Sequence, residues 1–311
     1  INARVRKRWI TGELEVGLIG APVDLTYDYE HIGTSAADLD TFTRARKGFA
    51  SVLKKAENPL VIVGAGALIG EAGQALLAAL GKMMSGQNFV REGWNALNIL
   101  HTAAARVGGL DLGFVPGSDG KSTEAILAGA EAGEIETVYL LAADEFDTSR
   151  LKNAFVIYQG HHGDAGAQVA DVILPGCAYT EKDGLYVNTE GRVQMGMRAV
   201  PPKGMAKDDW AILRALSATL DRVLPFDSQS ELRDQMIEKY PTFGALGYAP
   251  GAMGAADFDL TQLGQEGALT DAPLISPVTD FYMTNPIARA SNVMAECSAG
   301  AGAPTYSEAA E

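Results

Sequence analysis

Residues 158–195 read YQGHHGDAGAQVADVILPGCAYTEKDGLYVNTEGRVQM, from Tyr158 to Met195. A short apolar strand, Phe155 to Tyr158, enters a tight polar turn, Gly160-His161-His162-Gly163-Asp164. A second short strand, Asp171 to Leu174, stops at Pro175-Gly176. A ribbon follows: Asp183-Gly184 turns the chain, Leu185 and Val187 alternate around Tyr186, Asn188-Thr189-Glu190-Gly191 makes the next turn, and Arg192 to Gln194 returns. Glycine stands where the backbone needs positive φ or close approach. Gly, His, Asp, Asn and Arg at this density between buried strands suit the wall of a ligand pocket or a rigid docking face.

Outward from this stretch, short apolar runs alternate with helical ones. Strands are expected at Val16–Ile19, Leu60–Val63, Asp111–Phe114, Val138–Ala142, Phe155–Tyr158 and Asp171–Leu174, and helices at Phe42–Ala56, Gly70–Met84, Trp94–Val107 and Lys121–Ala132. The pattern predicts an α/β fold of doubly wound, mostly parallel sheets with helices on both faces. Leu97, Leu100, Ala104 and Val107 share one helical face at three- and four-residue steps. Asp208 reads as a helix start, with Leu213, Leu216 and Leu220 turned to the core. After Pro225 a helix is expected at Ser230–Lys239, then a poorly structured Gly/Pro/Ala-rich stretch, Gly244–Pro277. A last strand (Val278–Tyr282), a last helix (Pro286–Ala295) and a frayed tail from Ser298 follow. The apolar set Phe281, Tyr282, Met283, Ile287, Val293 and Met294 is expected to dock, either back onto the α/β body or onto a neighbouring subunit. The division predicted is 1–224, an α/β region with room for two interleaved subdomains, and 225–311, an irregular C-terminal extension.

Composition narrows the function. The 311 residues carry a net charge of -14, with 25 Lys+Arg against 39 Asp+Glu. A binder of phosphate backbones needs a basic face, so nucleic acid is excluded as a partner. Arg4, Arg6, Lys7 and Arg8 form the one basic run, read as solvated or partner-contacting. No apolar run reaches the ~18 residues that span a bilayer. The chain begins at Ile1 without Met and reads as a fragment. Its two cysteines, Cys177 and Cys297, cannot supply a four-thiolate iron-sulfur site, and nothing demands a disulfide between them.

Other motifs are weighed against plainer roles. Gly64-x-Gly66-x-x-x-Gly70 after a strand resembles a pyrophosphate loop, but it is one residue too long and lacks a downstream acid; a structural strand-turn-helix is favoured. Gly117 to Ser122 has too few residues between its glycines for a phosphate loop. His161-His162 lacks a third ligand, and neighbouring histidines tend to diverge, so backbone-satisfying hydrogen bonds are favoured over metal. Asp144, Glu145 and Asp147 stand at a strand's carboxyl end, where ligands bind in α/β folds; a helix-capping role is favoured. No catalytic triad stands out.

The quoted stretch carries a resemblance. Ala170 to Pro175, Glu181-Lys182 and Asn188 to Gln194 resemble the molybdopterin oxidoreductase family. With Tyr158 to Asp164 ahead of them, the resemblance narrows to the large iron-sulfur subunit of respiratory complex I, the NADH:quinone oxidoreductase. Asn2 to Lys7, Val23 to His31, Trp94, Asn98 to His101 and Asp280 to Thr284 fit the same family, so nearly the whole chain is covered. The resemblance implies a cofactor-free scaffold without catalytic or metal-ligating residues. Gly160, His161, His162, Gly163, Asp164, Asn188, Gly191 and Arg192 would line a vestigial pterin pocket. The two turns are expected to lie close together, with Arg192 bridging carbonyls or a carboxylate. The resemblance further implies 4Fe-4S and 2Fe-2S clusters in an N-terminal part outside this chain. Other hydrophilic-arm subunits would be its partners, on the cytoplasmic side of the bacterial inner membrane or the matrix side of the mitochondrial one. The alternative is the C-terminal part of an active molybdopterin-dependent oxidoreductase.

Overall fold

The computed structural model describes residues 1–12, 14–85, 89–249 and 259–301. The chain divides into two compact units, Ile1–Thr102 with Gly251–Thr284 and Ala295–Glu311, and Ala103–Pro250 with Asn285–Met294. Both mix helices with small, mostly parallel sheets.

The first unit holds α1 (Asn2–Ile10), β1 (Gly17–Ile19), β2 (Glu30–Gly33), α2 (Ala37–Arg44), α3 (Phe49–Lys55), β3 (Val61–Gly64), α4 (Gly70–Ser85), β4 (Val90–Arg91), β5 (Trp94–Asn95) and β6 (Leu97–Leu100). β1 pairs with β2 and β3 with β6, both in parallel. Met84, Phe89 and Ala96 are fully buried in a core with Leu39, Phe42, Leu76, Leu80 and Leu260.

The second unit holds α5 (Arg106–Asp111), α6 (Thr123–Glu131), β7 (Thr137–Leu141), β8 (Phe155–Gly160), α7 (Ala165–Gln168), β9 (Val172–Pro175), β10 (Gly184–Val187), β11 (Val193–Gly196), α8 (Asp209–Thr219), α9 (Gln229–Lys239) and α10 (Pro286–Arg289). The final helix, α11, spans Asn292–Ala301. β7, β8 and β9 form one parallel sheet in that order. Leu127, Leu140, Leu151, Val156 and Tyr158 fill its core. β10 and β11 make the antiparallel hairpin, whose Val187 and Val193 pack on Phe243.

Several expectations are corrected. The Trp94–Val107 helix is absent: Trp94–Leu100 is extended, and β6 completes a sheet with β3. Pairing overrides the helical spacing, because Ala96 is buried as the partner of Val61 N–H and Trp94 Nε1 donates to the Pro59 carbonyl. The Asp111–Phe114 strand is the end of α5 and a turn at Gly113, which leaves Phe114 exposed. The Phe42–Ala56 helix breaks between Arg44 and Phe49. Gly48 there has φ +63°, and the Glu30 carboxylate accepts from Phe49 N–H at 3.1 Å, starting α3 afresh. Leu220 is exposed because α8 ends at Thr219.

Val278–Tyr282 is not a strand. Asp280 accepts from Tyr282 N–H at 2.8 Å and turns Phe281–Met283 into a 3-10 segment. Pro286–Ala295 is two helices, α10 and α11, because Ser291 starts a new turn by accepting from Met294 N–H. Phe281 and Val293 are exposed, so the apolar set is not buried as a whole against this chain. Ser298 to Ala301 continue α11; the rest of the expected tail, 302–311, lies outside the described residues. Within Gly244–Pro277, Leu260 is a core residue and Ser35 bridges Pro273; 250–258 lie outside the described residues.

Leu151→Ala should lower unfolding free energy by about 2–5 kcal/mol through the cavity it leaves. Leu220→Ser should change it by less than about 0.5 kcal/mol. Denaturant titration of both variants checks the assignment, and equal losses would contradict it.

Candidate functional site

Parallel strands end in a row of unpaired backbone groups, which is where ligands bind in α/β folds. In the second unit that edge is occupied by two polar networks, one starting at the end of β8 and the other just after β7.

The first runs through Gln159, which is fully buried. The Tyr139 hydroxyl donates to Gln159 Oε1, and Gln159 Nε2 donates to Asp209 Oδ1 at 2.8 Å. Asp209, in the first turn of α8, is also ion-paired with Lys182. Sequence alternation hides Gln159, since polar residues in strands are usually solvent-facing. The network satisfies its amide and makes its burial tolerable.

The second runs through Asp144, whose side chain is 2% exposed. It accepts from Gly166 N–H at 3.2 Å and faces Arg289 at 3.9 Å. Arg289 ends α10 and reaches Asp164 with Nε at 2.8 Å and Nη2 at 2.7 Å; Glu145 lies 3.6 Å from Nη1. Burial works against the Arg289 charge, but the hydrogen bond and charge of Asp164, with Asp144 and Glu145, outweigh it and raise its pKa. Burial raises the Tyr158 pKa, Asp144 and Asp164 add to this, and Arg289 opposes it. The capping expectation holds for Asp147, which accepts from Ser149 N–H; Asp144 accepts from a first-turn N–H of α7, a helix distant in sequence, and also faces Arg289.

Of the predicted pocket residues, Gly160 leaves room for the Tyr158 ring: a Cβ there would lie 2.4 Å from it. Asp164 caps α7 through Ala165 N–H. The two histidines do not diverge. Their Nδ1 atoms are 2.6 Å apart and their rings meet edge to face, so one ring N–H donates to the other. Burial pushes the His161 pKa down, His162 and Lys182 push further, and Asp209 and Glu181 oppose. At the second turn, Asn188 Oδ1 accepts from Glu190 N–H and Arg192 N–H, and Gly191 has φ +77°. Arg192 bonds the Gly247 carbonyl and pairs with Glu190, a carbonyl and a carboxylate as expected. The partners of the two turns differ: β10–β11 and Gly247 for one, Asp144, Arg289 and α7 for the other.

Gly66, in the glycine-rich turn of the first unit, makes room for Pro277: a Cβ would meet its ring at 2.6 Å. A cavity of about 400 Å³ in the same unit is walled by Leu39, Phe42, Leu53, Met83 and Leu269, with Lys54 and Lys82 among its lining. None of the predicted site residues belongs to it.

Neither redox group fits these residues. A four-thiolate cluster cannot be built from two cysteines, both free. Burial raises the Cys177 pKa, helped by Asp208 and Glu181, which keeps it a thiol. Among the described residues no group of three or more His, Cys, Asp or Glu is placed to hold a metal ion. A pterin would have to compete for donors already committed to Asp209, Gly247 and the β10–β11 turn. Arg289, Asp209 and Lys182, the charged centres of both networks, were not predicted; only Lys182 stood in a sequence motif.

The sequence of this fold belongs to a known class of protein. The chain is a member of the molybdopterin oxidoreductase family, whose model matches residues 1–219. Residues 248–297 match the C-terminal model of the NADH-ubiquinone oxidoreductase G-subunit family. The chain is 42% identical over 306 residues to the mitochondrial NADH-ubiquinone oxidoreductase 78 kDa subunit of Neurospora crassa, covering 96% of this chain and 39% of that protein. It is 41% identical over 300 residues to the mitochondrial NADH dehydrogenase (ubiquinone) iron-sulfur protein 1 of Solanum tuberosum, covering 96% and 39%. With the 78 kDa subunit of Candida albicans it shares 38% over 309 residues, covering 97% and 41%. The chain thus spans about two-fifths of the length of the curated relatives it matches. Among the described residues no helix is long and apolar enough to cross a membrane.

Two outcomes follow from these networks. Arg289→Ala leaves Asp144 buried without its cation. It should cost about 1–3 kcal/mol, below the 3–5 of a fully buried pair because Arg289 and Asp164 keep partial solvent access; Arg289→Lys should recover part of it. Unfolding by urea measures both, and an unchanged midpoint for Arg289→Ala would refute the network. Because the folded His161 pKa lies below its ordinary 6.5, the unfolded chain binds more protons below that pH. Its stabilising contribution is therefore complete above about pH 6.5 and declines as pH falls below it. His161→Asn should flatten that decline in a pH series of unfolding midpoints; an identical slope would count against it.

Proposed function

We propose that this chain is a cofactor-free structural segment of the large iron-sulfur subunit of a proton-translocating NADH:quinone oxidoreductase. It carries no catalytic residue. The enzyme oxidises NADH and passes electrons through iron-sulfur clusters to quinone, with its clusters ligated outside these 311 residues. The segment packs against other hydrophilic-arm subunits, on the matrix or bacterial cytoplasmic side of the membrane. Its sheets are parts of a doubly wound α/β arrangement, and 1–224 and 225–311 are its two sequence modules, cut differently from the two compact units of the fold, the first of molybdopterin-oxidoreductase type. Gly160 to Asp164, with Asn188, Gly191 and Arg192, are the remnant of a pterin site.

The observation that carries this reading is similarity along nearly the whole chain to subunits of that enzyme. The commitment of Gln159, Asp164 and Arg192 to protein partners supports a scaffold over a cofactor site. The match of residues 1–219 to the molybdopterin oxidoreductase model suits an active molybdopterin enzyme as well; the relatives at 38–42% identity favour the subunit.

Affinity purification of the full-length protein from its own cells, in mild detergent, tests the reading. It should bring down an assembly that oxidises NADH and contains iron and sulfide, with molybdenum and tungsten far below one per chain. Recovery as a separate enzyme with stoichiometric molybdenum or tungsten would overturn it.

A further inference from the structure

Residues 195–207 read MGMRAVPPKGMAK. In a chain of net charge -14 this run holds Arg198, Lys203 and Lys207 and no acid. It also holds three of the nine methionines. Beyond β11 the run leaves the hairpin and its apolar side chains face outward: Met197 is 67% exposed, Val200 48% and Met205 80%. Scattered exposed apolar residues are ordinary; these are gathered and held. Ala199 and Val200 N–H donate to the Thr180 carbonyl at 2.8 and 3.1 Å, which brings exposed Tyr179 beside them. Lys207 N–H donates to the Pro175 carbonyl at 3.0 Å, and Cys177 N–H to the Lys207 carbonyl at 3.1 Å. Arg198 N–H donates to Asp183 Oδ1 at 2.7 Å. The loop is thus fastened at both ends to the end of β9 and the segment after it, and Pro201 and Pro202 stiffen its middle.

All three basic side chains are exposed, and among the described residues none forms an ion pair. A rigid surface with methionines, an arginine and a tyrosine has the composition enriched at protein interfaces. Its preorganisation lowers the entropy lost on docking. Its charge opposes that of the rest of the chain and selects an acidic counterpart.

We propose that loop 197–207 is a docking surface for an apolar patch rimmed by Asp and Glu on a neighbouring subunit of the assembled complex. This rests on the reading of the chain as a subunit of NADH:quinone oxidoreductase.

The test uses the intact assembly and the same subunit after salt- and chaotrope-induced separation. Amine-reactive labelling of Lys203 and Lys207 and peroxide oxidation of Met197 and Met205 should be lost in the assembly and recovered on separation. Zero-length carbodiimide cross-links should join Lys203 or Lys207 to a carboxylate of a different subunit. The double variant Lys203→Glu/Lys207→Glu, confined to exposed side chains, should weaken retention of the subunit in a salt titration by about ten-fold. Full labelling in an assembly that does contain the chain overturns the docking surface and leaves the functional reading standing. So do cross-links only within the chain or to a second copy, or protection that appears only on adding anionic phospholipid vesicles. Failure of the chain to co-purify with NADH-oxidising subunits sinks both together.

Discussion

A carboxylate buried at the end of a parallel strand must find a cation, and in this chain Asp144 finds Arg289. The pair is long, at 3.9 Å, but Arg289 is held by Asp164 at 2.7 Å and flanked by Glu145. An uncompensated buried carboxylate costs several kcal/mol, so the position of α10 is coupled to the segment after β7 and the start of α7. Residues separated by more than a hundred positions along the chain close the same unit. The consequence is chemical as well as mechanical. The edge of the sheet where a ligand would be gripped by free donors is filled by the chain's own guanidinium, amide and ammonium groups.

The same logic explains the Gln159 network. Tyr139, Gln159, Asp209 and Lys182 come from β7, β8, α8 and the segment ahead of β10. Each satisfies the next, and Gly176 allows the approach, since a Cβ there would lie 2.9 Å from Asp209 Oδ1. A polar network of this kind favours one arrangement of its elements, because partial satisfaction is worse than none.

Much of this was legible in the sequence where local chemistry decides local structure. The β7, β8 and β9 strands, the Asn188–Gly191 turn and the hairpin follow from apolar runs bounded by Gly, Pro, Asn and Asp. The family resemblance rested on the same residues. Legibility failed where distant pairing decides. Trp94–Leu100 has helical spacing, yet β3 captures it as a strand through Ala96 and Asn98. Asp280 and Ser291 reset the backbone by side-chain hydrogen bonds that compete with a strand or a continuous helix. The turn residues of the candidate site were found, but the groups that occupy them were not. Arg289 carries no motif, and its role exists only once α10 is placed beside β8. The facing histidines were missed for a related reason: strand-end geometry suggests divergence, and the turn folds their rings together.

The central claim is that protein side chains, not a pterin, occupy the carboxyl end of the β7–β9 sheet in the working assembly. A high-resolution electron cryo-microscopy map of the native complex, read around Gly160–Asp164 and Asn188–Arg192, tests it most directly. The account predicts continuous density from Arg289 to Asp164 and Asp144, with Gln159 joined to Asp209 and no non-protein density between them. Pterin-shaped density at that edge, with Arg289 turned away from Asp164, would contradict it.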